Sequence, residues 1–259
     1  MLQLPQPLHR LTNITIARRP RRGFSNLAHI ILTVMLPILA YVLVRIDFVA
    51  VAIGLVILSK WRMFAVRPRY WLANLVSNSI DILVATSLIL FMANTGEQWW
   101  QLFWMGVYML WTVVLKPRSD TLSVSAQAML GQLIALSALY LKFGASSTVW
   151  LVLGTWLIAY AAARHFLTSF EEPHAALIAH VWAYFAASLA YILGHWLIFY
   201  GVVAQIVVIL ATVGYGTAAF YYLDATGRTN LLVRRELLAI MGAILTLIIV
   251  LSNWKGVTL

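Results

Sequence analysis

The chain of 259 residues contains no cysteine. That excludes disulfides, thiolate nucleophiles and thiolate metal ligation. Charge is scarce as well. Only 10% of residues are Asp, Glu, Lys or Arg, where a soluble globular domain runs nearer ~25%. Polar sequence is missing at length: the longest clearly polar piece is the N-terminal tail, residues 1–25, so no soluble domain is expected. No small-residue cleavage site is evident after that tail, so the first apolar run reads as a retained span rather than a secretory leader. Lysines are absent from the interiors of the late apolar runs. Lys60, Lys116, Lys142 and Lys255 all stand at edges, which argues against a Schiff-base photoreceptor. The His-Glu-x-x-His and Gly-x-Ser-x-Gly signatures of hydrolases are also missing.

What is present is hydrocarbon. Apolar residues make up 63% of the chain, and runs long enough to cross a bilayer recur from near residue 26 to residue 252. Eleven Trp and eleven Tyr supply interfacial anchors. The expected fold class is all-α, a polytopic integral membrane helical bundle. Its expected spans are 26–44, 48–60, 70–92, 98–115, 121–141, 147–163, 174–194, 197–222 and 236–252. The second is short and reads either as a half-span or as a crossing extended to Val66 with Lys60 and Arg62 snorkelling. With the N-terminus cytoplasmic and nine crossings, only Arg45, Lys142 and Lys255 of the 18 basic residues fall outside. That asymmetry obeys the positive-inside rule and places the C-terminal tail, residues 253–259, outside, with the inner cell membrane as the expected location. The net charge of +10 is concentrated beside membrane, notably at Arg18, Arg19, Arg21 and Arg22, so anionic lipid is a simpler partner than nucleic acid.

Three spans open alike, at RPRYW from Arg67, KPRSD from Lys116 and EPH from Glu172. Either these are helix starts with ordinary proline placement, or they mark three repeated hairpins, 70–115, 121–163 and 174–222.

Polar residues inside the spans are the candidates for chemistry. Asn74, Asn78 and Asp81 share one helical face, and Asp81 lies ~17 Å along its helix, near mid-membrane. His180, Tyr184, Ser188, Tyr191 and His195 form a stripe down the seventh span. A polar stripe is expected to face other helices or a cavity, so Asp81 is expected to meet His180, Tyr184 and Ser188 there as a substrate site or proton path. Alternatively Asp81 is a neutral group bonded to a neighbouring helix, and Tyr191 and His195 belong to an aromatic belt. His29 lies near the depth of His180, so a cross-helix pair suited to haem is open on residue types alone, and the cofactor is otherwise unassigned. Around the cytoplasmic loops, Arg67, Arg69, Arg164, His165 and His174 are candidate contacts for a lipid phosphate. Glu171, Glu172, His165 and His174 are also metal-ligand types, but Ser169 to Glu172 fits a capping box, and no metal is assigned.

The eighth span contains Thr212-Val213-Gly214-Tyr215-Gly216. TVGYG resembles the selectivity filter of potassium channels, and the resemblance implies that these five residues line a pore with their carbonyls. It covers five residues of the chain. The acidic residue that commonly follows the filter is Thr217 here, and the motif sits in an apolar run from Trp196 to Leu223 that reads as one helix. On that reading Gly214 permits close helix packing.

Three functions are consistent with these features. A small-solute carrier or permease, proton-coupled through Asp81, fits the span count and the intramembrane polar groups. A structural or assembly subunit, packed against partner membrane proteins or further copies of itself, fits the lack of a soluble domain. A membrane enzyme acting on a lipid phosphate fits the cytoplasmic arginines and histidines if their loops converge.

Overall fold

The structure is a computed structural model that describes residues 24–252, with the side chains of residues 24–30 and of Arg62 outside the description. The basic tail with its arginines, the side chain of His29 and the C-terminal tail therefore lie outside the described residues. Nine α-helices are present among the described residues: α1 (Phe24–Arg45), α2 (Val49–Ser59), α3 (Trp71–Asn94), α4 (Gln98–Leu110), α5 (Thr121–Phe143), α6 (Thr148–Thr168), α7 (Ala175–Leu193), α8 (Gln205–Ala225) and α9 (Leu231–Leu251). Five of the chain's helical segments, Pro68–Asn94, Thr121–Phe143, Thr148–Thr168, Ala175–Leu193 and Gln205–Ala225, are long and apolar enough to cross a membrane. The chain is a multi-pass helical membrane protein.

Local chemistry sets several boundaries. Asp120 caps α5, its carboxylate accepting from the Ser123 N–H at 3.0 Å, and Asn230 caps α9 by accepting from the Val233 N–H at 2.7 Å. α4 closes in a π-turn over Trp111–Leu115, where the Lys116 N–H donates to the Trp111 carbonyl. α2 has 11 residues and is followed by one 3₁₀ turn, Trp61–Met63. Its length of ~16 Å is about half of a bilayer core.

Two sequence expectations about boundaries are corrected. The run from Trp196 to Leu223 is not one helix. Phe199–Tyr200 and Val203–Ala204 pair as an antiparallel hairpin (β1 and β2), and α8 begins only at Gln205. Gly201 adopts φ +65 in the turn, a conformation that hydrophobicity alone does not reveal. Ser169 to Glu172 is not a capping box. Ser169 ends α6 and donates back to the Phe166 carbonyl at 2.7 Å, while Glu171 takes φ 55 and His174 stands at the start of α7.

Packing divides into two main cores joined through α5. One gathers α1 to α4, with Ala138 of α5 and Ala161 and Ala162 of α6, around Val84, Leu88, Ile89, Met92 and Tyr108. The other gathers α5 to α8 around Leu136, Tyr140, Leu151, Ile206 and Leu210, with Tyr140 Oη and Thr155 Oγ1 bonded at 3.0 Å between α5 and α6. The closest pairing is α6 on α7. There Ala175, Ala179, Ala183, Ala186 and Ala190 form the buried face of α7, and small side chains let the backbones approach. α7 and α8 scarcely touch, so the third of the three hairpins suggested by the sequence is not a tightly packed pair. α9 packs chiefly on α8 and has no buried residue within the helix. Its C-terminal end is tied down by Ser252, whose Oγ meets Tyr200 Oη at 2.7 Å and accepts from Gln205 Nε2 at 2.6 Å.

Candidate functional site

Asp81 points inward from α3, but its partners are not those the sequence suggested. Lys60, just beyond α2, donates to Oδ2, and Lys116 Nζ lies 2.6 Å from the same oxygen. The Trp111 indole N–H donates to Oδ1 at 3.1 Å. The Lys60 and Asp81 side chains are 12% and 14% exposed, so this is a largely buried cluster of two cations, one anion and an indole. Lys116 is 43% exposed and leads from the cluster to the surface. The rest of the α3 face straps the loop between α2 and α3. Asn74 Nδ2 donates to the Met63 carbonyl at 3.3 Å, and Trp71 Nε1 donates to the Val66 carbonyl at 2.9 Å. Asn78 Nδ2 donates to the Asn74 carbonyl within the helix. On α5, Gln127 Nε2 does the same for the next loop, donating to the carbonyls of Leu115 at 2.7 Å and Arg118 at 3.0 Å. Chemically, the arrangement pins two loop-proximal helix ends to α3.

The expectation that the α7 stripe faces inward and meets Asp81 is overturned. Tyr184 is 65% and Tyr191 62% exposed, Ser188 and His195 are exposed, and only His180 is half-buried. Ser188 merely donates to the Tyr184 carbonyl at 2.8 Å. The opposite, alanine face of α7 takes the inward position because it packs closer on α6 than tyrosines or histidines would allow. His180 stacks on Tyr160 at 4.6 Å and on Trp156 at 5.7 Å, at the margin of α6.

The basic set that the sequence suggested as phosphate contacts does not form one centre. Arg69 lies over the Tyr70 ring at 4.6 Å. His165 is held in α6 with its Nε2 buried and unbonded, and Arg164 precedes it. His174 is exposed, with Nδ1 3.8 Å from Glu172 Oε1. No hydrogen bond, ion pair or ring contact joins Arg67 or Arg69 to Arg164, His165 or His174 among the described residues. No group of three or more His, Cys, Asp or Glu gathers in metal-binding geometry among the described residues. Glu172 instead accepts a hydrogen bond from Tyr221 of α8 and one from the His174 N–H at 3.3 Å. Those bonds hold its carboxyl below the ordinary 4.5.

TVGYG is helical throughout, within α8. Its glycines serve packing. A β-carbon at Gly214 would stand 3.2 Å from the Trp182 ring and 3.5 Å from Gln132 Nε2, and one at Gly216 would collide with Met241 of α9. An α-helix directs its carbonyls along its axis, so these residues do not form the extended filter that the resemblance implied.

A concavity lies between α5, α6, α7 and α8, where α7 and α8 splay. It has a volume of about 500 Å³, and its walls are apolar: Met129, Leu136, Phe166, Val207 and Ala211 among others. Val181 and Phe185, both exposed, form a rim, so the cavity opens sideways between α7 and α8. Gln132 is the polar exception. It is 8% exposed, and its Oε1 accepts from the Trp182 indole N–H at 3.2 Å. Gln132 is not ionisable and so stands apart from the candidates that charge and pKa single out in the sequence. The available signal was an amide ~17 Å into an apolar helix, where an unmet polar group is costly. Comparison of this chain with protein-family models, curated proteins and solved structures finds no match.

Proposed function

We propose that the chain is a membrane carrier or permease whose solute is a largely apolar molecule taken into the α5–α8 cavity from the side. The observation that carries this reading is the cavity itself. It is about 500 Å³ in volume, apolar, at mid-helix depth, and bordered by two helices that scarcely touch. Sites of that volume and character suit small hydrophobic ligands. In this reading Asp81 anchors α2 and α4 to α3 rather than exchanging protons, because Lys60, Lys116 and Trp111 already engage both its oxygens. The test is transbilayer movement of a fluorescent long-chain ester in proteoliposomes. Wild type accelerates it, and Ala211→Phe, which fills the cavity, abolishes the acceleration. Equal rates with and without protein would sink the carrier reading.

The proposal includes nine crossings, with the N-terminus cytoplasmic and the C-terminus outside. Support comes from the nine helices and from the basic residues that collect on one side in that threading. The crossing of α2 is the decisive element, since its helix is short. In this cysteine-free chain, single cysteines at Asp47 and Gly96 report it directly. Both label with an impermeant maleimide from outside if α2 crosses, and they label from opposite sides if it does not.

A role as an assembly subunit has its own support in the outward stripe of Tyr184, Ser188 and Tyr191 and in the nearly bare α9. Polar groups facing lipid are costly, and a partner helix would cover them. Cross-linking in native membranes that traps only monomer would remove that reading.

A further inference from the structure

We infer that the α5–α8 cavity selects an apolar ligand carrying one neutral oxygen acceptor, such as the carbonyl of a long-chain ester or ketone, and that Gln132 Nε2 is the recognising donor. This rests on the proposed role of the cavity as a binding site and adds the chemistry of its occupant.

The assignment of the amide follows from its neighbour. An indole N–H can only donate, so the Gln132 atom 3.2 Å from Trp182 Nε1 must be the carbonyl oxygen Oε1. The –NH₂ end is thereby turned the other way. Nε2 has no acceptor among the described residues, and Gln132 lines the cavity. The residue as a whole is 8% exposed. A donor so placed, on a buried side chain whose other end is fixed, aims into the cavity.

Gly214 gives this donor its room. A side chain there would press on the Trp182 ring and stand 3.5 Å from Nε2. The bare backbone keeps both the indole–amide bond and the space in front of Nε2. Of the hydroxyl residues on the wall, Thr217 donates through Oγ1 to the Val213 carbonyl at 2.9 Å and Tyr221 donates to Glu172, while Tyr215 is the third. No charged residue lines the cavity. A carboxylate or phosphate would enter without a counter-ion, whereas a neutral carbonyl meets in Gln132 a donor whose other end Trp182 already fixes. The depth agrees with this. Gln132 is ~17 Å into α5, a depth that the proposed crossing of α5 puts among lipid tails.

The experiment measures binding of a tritiated long-chain methyl ester and of the tritiated alkane of matched length to the purified full chain, in wild type and in Gln132→Met. Met matches Gln in length and lacks the donor. Wild type is expected to bind the ester about five-fold more tightly than the alkane, the value of one neutral hydrogen bond. Gln132→Met is expected to bind the two alike while keeping the alkane affinity of wild type. That retained affinity also shows that the variant is folded. Equal binding of ester and alkane by wild type, or an ester preference that survives in Gln132→Met, overturns the inference about Gln132. Failure of wild type to bind either probe overturns the cavity as a binding site, which is the underlying proposal. Competition with a diacyl phospholipid separates the two sources of the carbonyl. Displacement of the ester assigns the site to membrane lipid, and retention assigns it to a free neutral ligand.

Discussion

At Asp81 one carboxylate serves two lysines from two other segments, and the consequences of removing it differ from those of replacing the pair. Asp81→Ala leaves Lys60, 12% exposed, without its anion. Breaking a buried pair in this way costs roughly 3–5 kcal/mol. Replacing both partners, Lys60→Met with Asp81→Leu, is expected to cost much less, since no charge is then stranded at Lys60 and Lys116 reaches the surface. Thermal unfolding in detergent distinguishes the two variants, and equal losses would count against the ion cluster as an anchor. Glu172 supplies a second residue-level test. Its folded pKa is depressed by the Tyr221 hydroxyl and the His174 N–H. Its contribution to stability is therefore full above the ordinary 4.5 and is lost as pH falls through the lower folded value. Glu172→Gln is expected to flatten the acid side of the stability profile, and an unchanged profile would show that the bond to Tyr221 contributes nothing.

Among the elements, α7 shows most clearly how a residue pattern and its packing part company. Its two faces are both periodic: alanines at 175, 179, 183, 186 and 190, and His180, Tyr184, Ser188, Tyr191 and His195. The polar set drew the inward assignment on desolvation grounds, yet the alanines hold the inward position against α6. Substitution should follow that geometry. Tyr184→Phe is expected to change stability by less than about 0.5 kcal/mol, since the position is exposed and Phe keeps the ring that meets Trp156 edge-on. Ala183→Leu is expected to cost at least about 1–3 kcal/mol, because added methylenes have no room where the helices touch. Thermal midpoints of the two variants measure this. A larger loss for Tyr184→Phe than for Ala183→Leu would reverse the placement of the faces.

On the scale of the molecule, two cores meet at α5 and at Leu83 of α3, but the ion cluster and Gly214 draw on different partners. Asp81 belongs with α1 to α4 and their connecting loops, and Gly214 belongs with the cavity among α5 to α8. Substitutions at sites without shared partners add to within about 0.3–0.5 kcal/mol. Asp81→Ala combined with Gly214→Val is therefore expected to lose the sum of the two single losses. Coupling of more than ~1 kcal/mol would show that the two cores respond as one unit. The ion cluster and the cavity are accordingly two features rather than the single site that the sequence led one to expect.

The sequence by itself determined the helical membrane class, the positions of most helices and the shortness of α2. These follow from local hydrophobicity, which does not depend on neighbours distant in the chain. The tertiary structure alone decided which face of α7 turns inward, that Lys60 and Lys116 meet on Asp81, and that Gln132 presents its amide to a cavity. It also decided that Trp196 to Ala204 leaves the helix. Each of these depends on which segments lie side by side. Hydrophobicity separates lipid from water but does not tell one apolar neighbour from another, so in a chain this apolar the partner choice is made by shape and by the few hydrogen bonds that close packing allows.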